Sequence, residues 1–399
     1  MTQGAGGAAQ RRFHLDLPHL ERVPHAYRTG TFDFARAVGQ NIGNLAFRHG
    51  LEFILRDIAD YERYHFRDLK AVNAGAQVHH SVLSCANWLG TGKASEDMNA
   101  LRIRALRLID GPLVCFGLGV QASLEEGAGV ALGPHTRRLA AILSERSLCL
   151  GLRDETTQIV LADLGITNTV VMGCPSNFIN CDPDLGAGIA ALAAARAADA
   201  PAWTTTRSLI SEYVPGHPAA VQVMAQKLHL MATSPAFYAI QTPVLMPFLF
   251  QENAEVPPRY TAAAPAGMTA AQLYNVMQAK TLHFSSVEGW MDMARTCQLS
   301  FGMRIHGTML PLQAGVPSVL VRHDARTAGL AHSMAIPSLP PDAFIDSAAS
   351  GPGALFAQIA QQMEEYDARR ADLARVMLEF VRSHGLAPHD GLVTLAQGV

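Results

Sequence analysis

The sequence is poor in charge and has no paired cysteines. Asp, Glu, Lys and Arg make up only 16% of its 399 residues, and the formal net charge is −3. This balance provides no overall field that would attract a polyanion, so we expect no nucleic-acid partner. The six cysteines are scattered and form no CxxC pair. They indicate buried, reduced thiols and predict a cytoplasmic location.

Long apolar runs and the common catalytic signatures are also missing from the sequence. No run approaches the roughly 18 apolar residues of a membrane span, and the start of the chain has no apolar core of a secretory signal. We find no GxGxxG or phosphate loop, no HExxH and no GxSxG. No Cys/His cluster has metal-ligand spacing. We therefore expect neither a metal nor a bound cofactor.

What the sequence does contain is a repeated alternation of short apolar runs with helical segments. The runs predicted as strands are 78–84, 112–116, 148–152, 169–172, 236–241, 281–284, the strand that opens the segment 299–322, and the segment that starts at Pro317. Alternation of this kind predicts an α/β fold with doubly wound, mostly parallel sheets. We expect two Rossmann-like domains that face a shared cleft.

Shifts in composition suggest where the domains begin and end. The predicted units are a flexible N-terminal arm (1–30), an N-terminal domain (31–185), an alanine-rich connector helix (186–201), a C-terminal domain (202–350) and a C-terminal helix and tail (351–399). Asn44 is predicted to cap the helix that it begins, and Ser285–Glu288 to form a capping box. Periodicity favours helices at 217–232 and 353–384.

The segment 299–322, LSFGMRIHGTMLPLQAGVPSVLVR, is the most informative part of the chain. It predicts a strand, a helix that ends at Gly315, and a second strand. Arg304 and His306 then lie where the first strand ends and the helix begins. Unpaired backbone N–H groups and the helix dipole favour an anion at such a position. Each residue also has a structural alternative, an ion pair with a carboxylate across the domain interface for Arg304 and a structural hydrogen bond for His306.

Ligands of open α/β sheets bind outside the carboxyl ends of the strands. The polar or glycine residues predicted at these ends, and hence at a binding site, are Gly117, Gly119, Arg153, Ser176, His283, Ser285, Arg322 and His323. The set is mainly cationic and polar. It suits an anionic small molecule and differs from the paired carboxylates of a glycosidase. Arg153 could instead belong to a solvated helix start.

Five motifs, in this order along residues 40–340, resemble the polysaccharide pyruvyltransferase family. They are NIGN (41–44), GLGV (117–120), GLRDE (151–155) with LGI (164–166), GCPS (173–176), and GMRIHG (302–307) with LQAGVP (312–317) and VRHDAR (321–326). The chain has Asn44 where the family usually has aspartate, and Arg326 where it usually has lysine. The resemblance adds Asn41, Gly43, Asn44 and Arg326 to the expected substrate-binding residues.

The resemblance implies a two-Rossmann fold similar to that of GT-B glycosyltransferases. It implies transfer of the pyruvyl group of phosphoenolpyruvate onto two sugar hydroxyls as a ketal, in exopolysaccharide or cell-surface glycan synthesis. The acceptor would be a lipid-linked or nucleotide-linked glycan, which would bring the protein to the inner membrane surface without inserting it. Arginine suits the donor's carboxylate and phosphate, so Arg304 would hold it. His306 would protonate its methylene carbon, mainly once the donor is bound.

Two alternatives stay open at this point. One is a GT-B glycosyltransferase that uses a nucleotide sugar, although no acidic ribose-binding residue is evident. The other is a non-catalytic, glycan-binding relative, which the altered residues around Arg326 would suit. No oligomeric state is predicted.

Overall fold

Two six-stranded parallel sheets organise the protein in this computed structural model, which describes residues 11–16, 19–69, 78–123, 126–214 and 219–398. The first sheet has the order β2-β1-β3-β5-β7-β8. Its strands are β1 (Arg11–Asp16), β2 (Glu62–His65), β3 (Val78–Ser84), β5 (Leu113–Leu118), β7 (Leu150–Leu152) and β8 (Thr169–Val171). A two-stranded ribbon of β4 (Leu89–Gly90) and β6 (Val120–Gln121) flanks it.

The second sheet has the order β11-β10-β9-β12-β13-β14. Its strands are β9 (Ser208–Ser211), β10 (Ala236–Ala239), β11 (Thr281–Leu282), β12 (Leu299–Gly302), β13 (Ser318–Val321) and β14 (Ser338–Leu339). Buried strands such as β5 and β12 are apolar along most of their length, as strands covered on both faces must be. The predicted α/β fold with two doubly wound sheets is therefore confirmed.

Helices connect the strands and cover both sheets. Their bounds are α1 (Thr31–Ala37), α2 (Asn44–Glu52), α3 (Lys93–Leu106), α4 (Pro134–Arg146), α5 (Glu155–Asp163), α6 (Leu185–Ala198), α7 (Ala220–Thr233), α8 (Met246–Leu249), α9 (Pro258–Thr261), α10 (Ala270–Lys280), α11 (Val287–Arg295), α12 (Ile305–Gln313), α13 (Ala325–Ser333), α14 (Pro341–Ser350), α15 (Pro352–Gln362), α16 (Tyr366–Ser383) and α17 (Asp390–Gln397). The alanine-rich connector is thus helical, as predicted. The first residues of the helix predicted at 217–232 lie outside the described residues.

Each sheet has one point at which the chain reverses direction. In the first sheet the chain runs from β1 outward to β2, and from β3 outward in the opposite direction to β8. In the second sheet β9 leads to β10 and β11 on one side, whereas β12 leads to β13 and β14 on the other. The reversal points therefore lie between β1 and β3 and between β9 and β12. Ligands of doubly wound sheets bind in the crevices at such points.

The N-terminal arm predicted for residues 1–30 is wrong for the described part of that range. Arg11–Asp16 is an internal strand of the first sheet, between β2 and β3. Arg11 pairs with Glu62 of β2 at 2.5 Å, and this ion pair explains how a strand can begin with two arginines. Farther along, Val23 donates its backbone N–H to Ser285 at 2.9 Å. Residues 1–10 lie outside the described residues.

Two predicted helix caps are also wrong. Gly43 precedes α2 as its cap residue, and the Asn44 amide donates backwards to the carbonyls of Val38 and Gly39, at 2.9 and 3.3 Å. Asn44 thereby closes the turn that leads from α1 to α2. At α11 the cap is Ser286, whose hydroxyl accepts from the Gly289 N–H at 3.0 Å.

The C-terminal segment comprises three helices and returns to the first sheet. The single helix predicted at 353–384 is interrupted after Gln362, and the next helix begins at Tyr366, which donates to Asn177 at 2.8 Å. Phe380 of α16 meets Phe116 of β5 edge to face at 5.2 Å between ring centroids. One continuous apolar cluster therefore includes residues from both sheets and from the C-terminal helices.

No helix among the described residues is long and apolar enough to cross a membrane.

Candidate functional site

His306 lies on the first turn of α12, at the reversal point of the second sheet. It is 5% exposed, and its neighbours come from the first domain. Its Nε2 atom lies 3.6 Å from the thiol sulfur of Cys174, and its ring centroid lies 5.7 Å from that of Phe47. The histidine predicted from the strand–helix motif is thus placed in an interdomain cleft.

Burial and three nearby arginines keep His306 neutral. Burial lowers its pKa well below the ordinary value, and the charges of Arg153, Arg326 and Arg48 lower it further. Burial and positive neighbours both disfavour the imidazolium ion. An anion bound beside these arginines would oppose their effect and raise the pKa of His306.

Arg153 follows β7 and is the main cation that the first domain contributes to the cleft. It is 1% exposed, and its guanidinium carbon lies 5.2 Å from the centre of the Phe47 ring. Nη1 donates to Asn87 at 3.2 Å, but Nε and Nη2 are buried with no hydrogen-bond partner among the described residues. Unpaired buried guanidinium groups are costly unless they meet an anion. Arg153 therefore has two buried donor nitrogens that an anion could satisfy.

Gly117 and Gly119 make room for this arginine. A Cβ atom at Gly117 would lie 3.4 Å from Nε of Arg153, and one at Gly119 would lie 3.3 Å from its Cδ. Gly117 also has φ +67°, which a residue with a side chain rarely adopts. These two glycines support the site by shape and do not require direct ligand contact.

The turn at 41–44 brings the first domain against the second at His306. Asn41 accepts a hydrogen bond from the Gly43 N–H at 2.9 Å, and the Ile42 N–H donates to the Gln241 carbonyl at 2.8 Å. A Cβ atom at Gly43 would lie 2.5 Å from the Gln241 amide oxygen and 3.1 Å from the His306 Cβ. Only glycine allows this close approach.

Arg304 lies at the same reversal point, beside a fully buried carboxylate. Its Nη2 is 3.8 Å from Glu212, which also accepts from Arg259 at 2.7 Å and from the Thr242 N–H at 2.8 Å. Nε of Arg304 is buried without a partner among the described residues. Arg304 thus pairs with Glu212 of its own domain, and not with a carboxylate across the domain interface. This ion pair holds the guanidinium group and leaves the Nε N–H unused.

His323 lies in the loop between β13 and α13, and Arg326 lies in the first turn of α13. Nη2 of Arg326 and Nε2 of His323 each lie 3.6 Å from the carboxylate of Asp324, which caps α13 by accepting from the Thr327 N–H. Burial lowers the pKa of His323 to about 4, so this residue is neutral. Of these two residues, Arg326 is the one whose charge lowers the pKa of His306.

Four other predicted residues have different surroundings. Ser176 is fully buried and donates to the Cys174 sulfur at 3.2 Å, so it supports the cleft wall from behind. His283 packs between aromatic rings, and burial lowers its pKa to about 4. The backbone carbonyl of Ser285 accepts a hydrogen bond from the Val23 N–H. Arg322 donates to Ser338 at 3.1 Å and lines a separate groove.

Several residues of the cleft were not predicted from the sequence. Glu212 follows β9, a four-residue strand with only two large apolar side chains, which periodicity did not identify. Gln241 follows β10 and reaches the first domain, and its amide nitrogen is buried without a partner among the described residues. Phe47 and Cys174 were not predicted as site residues. Their position against His306 depends on the docking of the two domains.

Comparison with solved structures lists several proteins with which the chain aligns over most of its length. HepE from Anabaena, in complex with UDP and glucose, shares 11% identity over 94% of this chain and 98% of HepE, with a TM-score of 0.47. MnaA from S. aureus with UDP shares 9% identity over 94% and 98%, also at 0.47. A UDP-forming trehalose-phosphate synthase from Burkholderia vietnamiensis shares 11% identity over 97% and 98%, at 0.44. No curated protein matches the sequence.

A model of one protein family matches part of the sequence. It describes polysaccharide pyruvyl transferases, and its match begins at Asn41 and includes Arg153 and Ser176. The resemblance predicted from the motifs is therefore confirmed, with residues 41–215 of this chain matching the polysaccharide pyruvyl transferase family.

Proposed function

We propose that the protein is a transferase that moves the pyruvyl group of phosphoenolpyruvate onto two hydroxyls of a sugar residue as a ketal, in the synthesis of a cell-surface glycan. One observation carries the proposal. Arg153 from the first domain and Arg304 from the second each have a buried N–H without a partner among the described residues, and His306 lies in the same cleft. A small molecule with two anionic groups would satisfy both arginines.

Phosphoenolpyruvate fits this arrangement because its carboxylate and phosphate can each accept charge-assisted bonds from a guanidinium group. Arg326 adds a third positive charge near His306. In the proposed complex the donor lies between the domains, and the arginines hold it. Its methylene carbon faces the imidazole of His306.

The reaction begins with transfer of a proton from His306 to the methylene carbon, which makes C2 electrophilic. A first sugar oxygen forms a bond to C2 and loses its proton, which restores the imidazolium. The second sugar oxygen then bonds to C2 as the C2–O bond to phosphate breaks. The second hydroxyl proton leaves with the phosphate, so the products are a methyl-bearing cyclic ketal and hydrogen phosphate.

The electrostatics of the cleft couple this proton to donor binding. His306 is neutral in the free protein because burial and three arginines lower its pKa. The negative donor would offset the arginines and allow the proton to reside on the imidazole. The acid would then be charged mainly in the complex, where it is needed.

The test is to incubate the purified protein with phosphoenolpyruvate and a panel of pyranoside acceptors, including lipid-linked and nucleotide-linked ones. Phosphate release is followed together with product mass. The expected product is heavier than the acceptor by one pyruvate less one water. Product formed only with a nucleotide-sugar donor would contradict the proposal in favour of glycosyl transfer. Tight glycan binding without turnover would contradict it in favour of a binding protein.

A further inference from the structure

A cavity of about 290 Å³ opens at the reversal point of the first sheet. Asp16, the last residue of β1, lines one side, and Asn87 and Trp88, which follow β3, line the other. Asp16 has φ 145°, a backbone conformation that few residues other than glycine adopt. The cavity thus lies where a doubly wound sheet binds ligands, and its lining carboxylate, that of Asp16, belongs to a residue with an unusual backbone conformation.

The cavity shares a wall with the cleft around His306. Asn41 and Phe47 line the cavity, and the same Phe47 ring packs on both His306 and Arg153. Asn87 also lines it and accepts the hydrogen bond from Arg153. A molecule in the cavity would therefore adjoin the donor position.

The lining combines aromatic surface with polar groups whose charges offset one another. Trp88 meets Phe66 edge to face at 5.3 Å, and the guanidinium of Arg102 lies 4.3 Å from the centre of the Trp88 ring. The carboxylate of Asp16 accepts from Arg48 at 3.3 Å. Apolar walls with a few fixed polar groups are typical of small-molecule sites.

We infer that this cavity binds one uncharged pyranose ring of the glycan acceptor, the ring that receives the pyruvyl group. The inference rests on the proposed function. The volume is at the lower end of the roughly 300–1,000 Å³ of ligand pockets, which suits a single ring. Sugar hydroxyls donate to the Asp16 carboxylate and exchange bonds with the amides of Asn41 and Asn87. The ring face lies against Phe66 and Trp88.

Replacing Asp16 tests most directly whether the polar lining of the cavity binds sugar hydroxyls. Asp16→Asn keeps the size and one oxygen of the side chain but removes the charge that strengthens hydrogen bonds from hydroxyls. Met98→Trp provides an independent test, because Met98 lines the cavity from α3 and a larger side chain there fills it. The matched control is Asp97→Asn, at an exposed carboxylate on the same helix that pairs with Lys93.

Acceptor binding is measured directly by saturation-transfer difference NMR with uncharged methyl pyranosides, alongside KM values for acceptor and phosphoenolpyruvate. We expect Asp16→Asn to raise the acceptor KM about tenfold or more. Met98→Trp should abolish the NMR signal. Both should leave the KM for phosphoenolpyruvate unchanged, and Asp97→Asn should behave as wild type.

The proposed function and the proposed sugar subsite can fail independently of each other. If the wild type never releases phosphate from phosphoenolpyruvate, the proposed function fails, but pyranoside signals that both variants lose would still support the sugar subsite. If both folded variants keep the wild-type acceptor KM and NMR signals, the subsite is overturned whatever the donor. An increase in the KM for phosphoenolpyruvate alone would also overturn it, because the cavity would then belong to the donor.

Discussion

The imidazole of His306 meets the thiol of Cys174 across the cleft, with Nε2 3.6 Å from the sulfur. Ser176 donates its hydroxyl proton to the same sulfur, so two residues of the first domain meet at the atom that contacts His306. His306 is therefore oriented by the first domain although it belongs to the second. Its chemistry depends on the docking of the two.

Replacing His306 should remove the proton donor while leaving the arginines in place. We expect His306→Gln to lower kcat by about 100-fold or more, the usual contribution of a general acid, with little change in binding of phosphoenolpyruvate. Steady-state kinetics and calorimetric titration with the donor would measure the two effects. His332→Gln, at an exposed histidine on α13, is the control and should keep full activity. Near wild-type turnover of His306→Gln would exclude the acid role.

The pH dependence should reveal the coupling between His306 and the donor. The profile of kcat/KM reports the free enzyme, whereas that of kcat reports the complex. Since burial and nearby arginines lower the pKa of His306 in the free protein, the fall in kcat/KM with rising pH should occur at a lower pH than the fall in kcat. Coincident profiles would mean that the donor does not affect the imidazole.

Arg153 should influence both the donor and this pH profile. Arg153→Gln removes a positive charge that lowers the pKa of His306, so the midpoint of kcat/KM should move to higher pH. Loss of a charge-assisted bond should also weaken donor binding by about tenfold or more. Arg322→Gln, in the separate groove, is the matched control. An unshifted midpoint together with unchanged donor affinity would contradict the assignment of Arg153.

Gly43 should tolerate no side chain. In Gly43→Ala the new methyl group would lie 2.5 Å from the Gln241 amide oxygen, so the domains must separate slightly. We expect a loss of about 1–3 kcal/mol in the free energy of unfolding, as for other overpacked sites, and a fall in kcat/KM. Gly188→Ala is the control, since a Cβ there meets no atom of the described residues within 4 Å. It should stabilise α6 by about 0.5–1 kcal/mol. Equal behaviour of the two variants would contradict the close approach at Gly43.

His283 should make the protein less stable in acid. Its pKa is about 4 when folded and 6.5 in its ordinary state, so the unfolded chain binds a proton first as the pH falls. The stability of the neutral state is fully present above pH 6.5 and declines toward pH 4, by up to about 3 kcal/mol. His283→Leu removes this group and should flatten the decline, which urea unfolding at several pH values would measure. An equally steep decline in the variant would show that His283 is not its source.

The sequence predicted the architecture well where strands are long and apolar. It failed at β1, because RRFHLD begins with two charges whose partners, Glu62 and Asp57, lie about 45–50 residues away. Partners so distant cannot be read from local periodicity. The strand β9 was missed for a different reason, because its four residues include only Leu209 and Ile210 as large apolar side chains.

The site could be predicted in part. The strand–helix motif placed Arg304 and His306 where β12 ends and α12 begins, as the structure has them, since strand ends are recognisable locally. The contacts of His306 with Phe47 and Cys174 could not be predicted, because they arise only when two separately wound sheets meet. Arg322 was predicted in the site only because it follows a strand. Its side chain instead donates to Ser338 and lines a separate groove.

The return of α16 and α17 to the first sheet has a consequence for folding during synthesis. Ile54 accepts a backbone hydrogen bond from His389, and Phe116 packs on Phe380. The first domain therefore cannot complete its packing when its own strands leave the ribosome. Part of its apolar surface stays uncovered until α16 and α17 have been translated, and exposed apolar surface of this kind favours aggregation.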